Sequence, residues 1–113
     1  MADHIRIRTA PGTWVVRAGG AVLGESKRVQ ELTEGSYGPV HYFPRADIAM
    51  AMLDRTDRAT TCPWKGQAGY FSIVTPDGRL DNAVWSYETP KADCAAIAGH
   101  LAFYTDRVTI ERV

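Results

Sequence analysis

Apolar and polar residues alternate along much of this chain, and a period of two is the signature of half-buried β-strands. Thr13 to Glu25 reads as a hairpin: Trp14-Val-Val-Arg17 and Ala21-Val-Leu23 flank Gly19-Gly20, a pair that tolerates the backbone of a tight turn. Arg28-Val-Gln-Glu-Leu32 alternates as a further strand, and Gly35-Ser-Tyr-Gly38 is a loop before the β-prone Val40-His-Tyr-Phe43. The period changes at Pro44, where Ile48, Met52 and Ala49 share one face of a short helix over Pro44–Leu53. Pro44 suits its first turn, in which the missing N–H costs nothing. Asp54 to Thr61 shows no period and reads as a polar connection. Gly69-Tyr-Phe-Ser-Ile-Val74 and Asn82-Ala-Val-Trp-Ser-Tyr87 form a second hairpin about the turn signal Pro76-Asp-Gly78. Pro90 to Ala98 predicts a second short helix ending near Gly99, and Leu101–Tyr104 and Arg107–Arg112 are expected to pair as closing strands.

These elements predict a mainly β fold of the α+β kind, with compact antiparallel sheets and two short helices. Strands and helices do not alternate, which excludes a doubly wound sheet. At 113 residues the chain fits one domain spanning 1–113, with one core. Lys+Arg and Asp+Glu number 13 each, so the formal charge is zero, whereas a general nucleic-acid or anionic-membrane binder is usually basic. No apolar run approaches the roughly 20 residues of a membrane span. Met1 to Arg8 lacks the apolar core of a secretory signal. Two cysteines do not make a disulfide framework, so the expected location is cytoplasmic with both thiols reduced.

The chemistry-bearing residues concentrate in three segments. Cys62 precedes Lys65 by three positions, near enough for the ammonium to favour a nucleophilic thiolate. Such cysteines normally use a histidine base, and His4, His41 and His100 are all remote in sequence; the competing reading is a small buried residue at a strand end. Lys65-Gly66 can offer an ammonium and an open backbone N–H to an anion, though no P-loop surrounds them. Arg45, at the first turn after Tyr42-Phe-Pro44, can clamp a carboxylate or phosphate, or else pair with Asp47 or another acid to hold the turn. In a strand Trp85 and Tyr87 share one face and Ser86 and Glu88 the other. Trp85 reads as core, and Glu88 as a candidate general base or metal ligand. Glu31 and Glu34 read as solvated. Cys62 and Cys94 lack the paired neighbours of a structural zinc site, and the sequence leaves any cofactor unknown.

Tyr42-Phe-Pro-Arg-Ala-Asp47, Thr61-Cys-Pro-Trp-Lys-Gly-Gln-Ala-Gly-Tyr70, Ala83-Val-Trp-Ser-Tyr-Glu-Thr-Pro90 and His100-Leu-Ala-Phe-Tyr104 together resemble domain-of-unknown-function family 427, which also carries a nucleotidyltransferase-type label. The resemblance covers about 15–112. It implies a β-dominated domain with tent-like sheets related to some zinc-binding modules. The chain lacks the Cys-x-x-Cys ligands of those modules and the Gly-Ser and spaced-carboxylate pattern of polymerase-type nucleotidyltransferases, so neither chemistry is carried onto its residues.

The leading expectation is a small-molecule site at the junction of Tyr42–Asp47, Cys62–Tyr70 and Trp85–Glu88. Tyr42, Arg45, Lys65, Gly66, Tyr70 and Tyr87 would bind a small anionic ligand, with Glu88 orienting a polar group or taking a proton. An enzyme using Cys62 as nucleophile, or a nucleotidyltransferase-like activity, is the second reading. A non-catalytic interaction module, such as a homodimer joined through aromatic positions, is the third.

Overall fold

A computed structural model describes residues 4–113; residues 1–3, at the start of the stretch examined for a secretory signal, lie outside the described residues. The chain is mostly strand, in three antiparallel sheets. Strands β1 (Ile5–Thr9), β4 (Gln30–Glu34) and β5 (Val40–Tyr42) form one, in the order β1-β4-β5. Strands β2 (Trp14–Ala18), β3 (Ala21–Ser26) and β10 (Thr109–Arg112) form the second, in the order β10-β2-β3. The largest comprises β6 (Leu53–Cys62), β7 (Gly66–Thr75), β8 (Gly78–Ser86) and β9 (Ala102–Phe103), paired in chain order.

Both hairpins expected from turn chemistry are present, one about Gly19-Gly20 and one about Pro76–Gly78. Four details differ from the pattern reading. Ile5–Thr9, to which the pattern reading assigned no element, forms a strand, β1, held in register against β4. The polar stretch 54–61 is not a connection but most of β6, an edge strand whose one neighbour is β7. Polar and charged side chains suit such an edge because they discourage pairing with other chains. Leu101–Tyr104 and Arg107–Arg112 do not pair with each other: β9 joins β8 and β10 joins β2.

The fourth difference concerns Pro44–Leu53. Two 3₁₀ turns, Arg45–Asp47 and Met50–Met52, replace the helix, with extended Ile48 between them bridged to Gly24 on β3. A Cβ at Gly24 would collide with the Asp47 carbonyl, so this close crossing depends on glycine. Sheet contact here overrides the helical spacing of Ile48 and Met52, and leaves Ala49 exposed. Asp47 does not pair with Arg45; it accepts from Ser26 Oγ at 2.7 Å and Arg28 Nη2 at 3.1 Å, securing the turn to β3. The second expected helix is likewise a 3₁₀ segment, Ala92–Ile97, kinked at Cys94 and burying Cys94 and Ile97.

The strands of the large sheet divide two apolar clusters. Phe71, Ile73 and Val84 face a cluster containing Val16, Leu23, Phe43, Leu101 and Phe103. Ala68, Tyr70 and Tyr87 face another containing Leu32, Tyr42, Cys94 and Ile97. The functional question concerns the second face, because there the packing does not close.

Candidate functional site

Alternation along β7 and β8 decides which side chains meet. Tyr70 lies opposite Trp85 in the register, so both project from one face of the sheet, and Tyr87 follows two residues later on the same side. The facing surface comes from β4 and β5: Leu32 pairs with Val40 and Gln30 with Tyr42, placing Leu32, Glu34, Val40 and Tyr42 inward. Between these surfaces is a cavity of about 390 Å³, lined by Tyr37, Tyr42, Tyr70, Tyr87 and Tyr104 together with Trp85, Lys65 and Glu34. Those five are all the tyrosines in the chain. The volume falls within the range of small-molecule sites.

Lys65 enters from the β6–β7 hairpin. Cys62 pairs with Gly66, leaving 63–65 as the loop, and Gly66 adopts φ +111°, a value that strains any residue bearing a Cβ. The Lys65 carbonyl accepts the Lys91 N–H at 2.9 Å, fixing the loop against the segment before the last 3₁₀ turn. The ammonium, only 8% exposed as a residue, donates to Glu34 Oε1 at 2.7 Å. Burial pulls the Lys65 pKa down, but the hydrogen bond to Glu34 and that carboxylate's charge reverse this, and it ends above its ordinary value. The same hydrogen bond holds Glu34 below the usual carboxylate value, helped by His4 at 3.5 Å.

The phenols differ among themselves. Burial pushes Tyr42 and Tyr87 well above the ordinary tyrosine value, so both stay protonated. The Tyr42 hydroxyl accepts from Trp85 Nε1 at 3.3 Å. Tyr70 is different: burial raises it, but contacts with Thr60, Tyr104 and Arg58 more than compensate, leaving it below the ordinary value. Its hydroxyl lies 2.9 Å from Thr60 Oγ1, and the Arg58 guanidinium sits 4.8 Å from its ring centre.

Of the residues singled out in the sequence, Tyr42, Lys65, Tyr70 and Tyr87 line the cavity. Gly66 shapes the hairpin beside it. Arg45 and Glu88 lie on the opposite face: the Arg45 guanidinium is 5.7 Å from the Phe71 ring centre, and Glu88 Oε1 accepts from Arg45 at 2.9 Å and from Arg55 at 3.0 Å. The acid that pairs with Arg45 is therefore Glu88. Cys62 is a free, half-buried thiol packed against the second cluster. The histidines are engaged elsewhere, His4 with Glu34 and Trp64, His41 with Glu31 and Trp14, and His100 with the Ala98 carbonyl. Cys94 is fully buried, and burial pushes its thiol pKa up.

The sequence reading takes Glu34 as solvated, weighs Tyr37 and Tyr104 only as tyrosines able to stack a base or fill a core, and treats Trp85 as core; all four line the cavity. A signal for Glu34 existed: it sits two residues beyond inward-facing Leu32, on the same face of one alternating strand. Tyr37 had none, since it lies on a loop. Among the described residues no group of three or more His, Cys, Asp or Glu converges to hold a metal ion, and no helix is long and apolar enough to cross a membrane.

Fold and site together define a small, mostly β protein with a tyrosine-lined cavity whose wall carries a Lys–Glu pair. The chain belongs to the family described as Domain of unknown function (DUF427), also labelled NTP_transf_9, whose sequence model matches residues 6–113. The match extends to β1, upstream of the segments that first suggested the relationship. No curated protein matches the chain.

Proposed function

We propose that this chain is a cytosolic small-molecule-binding domain whose ligand places an anionic group on Lys65 and its body among the tyrosines. The observation that carries the reading is the convergence of every tyrosine in the sequence on a cavity that also holds a buried ammonium. An ammonium has three donors, and Glu34 takes one in the pairing described, which leaves donors for a ligand. In this reading Arg45 and Glu88 secure the far face of the sheet and Cys62 supports the hairpin that carries Lys65.

The test is a thermal-shift panel of carboxylates, sugar phosphates and nucleotides on the full chain and on the double variant Lys65→Met, Glu34→Gln, which keeps the wall uncharged. A ligand at a hundred times its dissociation constant contributes about 2.7 kcal/mol, or about 10 °C in midpoint for a domain of this size. The expected result is a shift for the parent protein that the double variant loses. An undiminished shift in the variant overturns Lys65 as the anchor.

A further inference from the structure

We propose that Tyr70 is a general base for the cavity it lines, with Arg58 and Thr60 as the residues that position it. Its substrate is a small carbon acid, a molecule whose C–H is acidified by a neighbouring electron-withdrawing group. This adds an activity to the binding reading above and stands on different side chains.

The register of β6 carries the argument. Arg55 lies opposite Phe71 and Ala59 opposite Gly69, so Thr56, Asp57 and Arg58 together face the single residue Tyr70. Had the ladder run on unbroken from Arg55, Arg58 would fall opposite Ala68; the extra residues bring it opposite Tyr70 instead. The alternation is kept, so Arg58 and Thr60 stay on the Tyr70 side of the sheet. Bulges beside functional sites commonly re-aim a side chain in this way. The result is direct contact. The Arg58 guanidinium carbon is 4.8 Å from the Tyr70 ring centre, and Thr60 Oγ1 is 2.9 Å from its hydroxyl.

A cation and hydroxyl donors favour a phenolate, and burial opposes it. Burial raises Tyr70, but Thr60, Tyr104 and Arg58 outweigh it and hold the phenol below its ordinary 10.0. Burial and the hydrogen bond with Tyr70 push Tyr104 the other way, so Tyr70 is the member of the pair that ionises first. The buried phenols of Tyr42 and Tyr87 are also raised. The remaining charged groups nearby are exposed Asp57 in the bulge, Asp106, which acts on Tyr104, and the mutually paired Lys65 and Glu34 in the cavity lining. Protons on oxygen and nitrogen exchange quickly without help, so a positioned base matters most for a proton on carbon.

The experiment presents the full chain with nitrobenzisoxazole, a neutral carbon acid. The Tyr70 oxygen takes its C–H proton, and the C–H electron pair completes a nitrile as the ring N–O bond breaks. The ring oxygen leaves as a coloured cyano-nitrophenolate, and solvent then removes the proton from Tyr70. The catalysed rate is expected to rise with pH and level off below pH 10, following Tyr70. Tyr70→Phe should lose at least about 100-fold of it, the low end for a positioned base. Arg58→Met should move the pH midpoint upward and Arg58→Lys bring it part of the way back, which a purely structural role would not do. Phenol absorbance titrated on the folded parent gives a second reading: one phenol should ionise below 10.0 and be missing from Tyr70→Phe. Elimination no faster than in buffer, or undiminished in Tyr70→Phe, overturns the proposal. So does an early-ionising phenol that persists in Tyr70→Phe and disappears in Tyr104→Phe. The probe carries no charge for Lys65, so this test and the thermal-shift test can fail separately.

Discussion

The two faces of the β7–β8 hairpin are built from neighbouring residues and have opposite outcomes. On one, Phe71, Ile73 and Val84 close against Phe43, Leu101 and Phe103 with no polar tip to accommodate. On the other, Tyr70, Trp85 and Tyr87 carry a polar group at the end of each ring, and packing stops short of closure. Their ion pairs differ in the same way. Arg45 and Arg55 hold Glu88 where all three are substantially exposed, while Lys65 meets Glu34 with its own side chain largely enclosed. Open pairs add little to stability; an enclosed one is felt when either partner is lost. One face of this sheet therefore serves mainly the fold, and the other keeps space and charge in reserve.

The largest way to test that contrast is Phe43→Ala on the closed face. Phe43 is fully buried, and its truncation should cost about 3–5 kcal/mol in urea unfolding. A loss under about 1 kcal/mol would mean that this face is not the packed one. Glu34→Gln on the open face should cost less, about 1 kcal/mol at neutral pH, and its signature is pH dependence. The folded Glu34 pKa lies below its ordinary 4.5, so the pair's contribution is complete above that value and lost as pH falls through the folded one. Lys65 has its pKa raised, so its side of the pair is intact below its ordinary 10.5. The stability difference between parent and variant should be flat at neutral pH and shrink on acidification below 4.5; a difference constant down to pH 2 would sink the pairing. Smallest of all is Tyr37→Ala. This residue lines the cavity yet is 78% exposed, so stability should move by less than about 0.5 kcal/mol while affinity for any cavity ligand falls. Unchanged affinity would remove Tyr37 from the site.

What could be read from the sequence follows from the same contrast. The two hairpins were legible because alternation and turn residues agreed, and Trp85 and Tyr87 were assigned to a common side by parity alone; that Tyr70 joins them depends on the register of β7 against β8. Strand β6 was not legible, because an edge strand with a mostly solvent-facing surface has nine residues after Leu53 that are polar, small or half-exposed, and shows no apolar period. The Pro44–Leu53 helix failed because Ile48 gains more from the β3 edge than from a helical turn. Parity also put Glu88 on the face away from Trp85 and Tyr87, although the site reading still grouped it with them. It lies one residue beyond Tyr87, and that single step moved it to the far side of the sheet. Glu34 is the converse: its partner Lys65 is 31 residues away, a distance over which local pattern carries no information.

The pairing of β10 with β2 has a consequence in time. Thr109 lies opposite Arg17, 92 residues earlier. At about 5–20 residues per second, a ribosome that has released the β2–β3 hairpin takes on the order of 5–20 s more to deliver the strand that covers its outer edge. Throughout that interval Val15 and Val16 belong to a sheet with an unpaired margin, the kind of surface that recruits other chains. The nascent protein is therefore most exposed to misassembly before its final strand emerges, and slower synthesis lengthens the exposure.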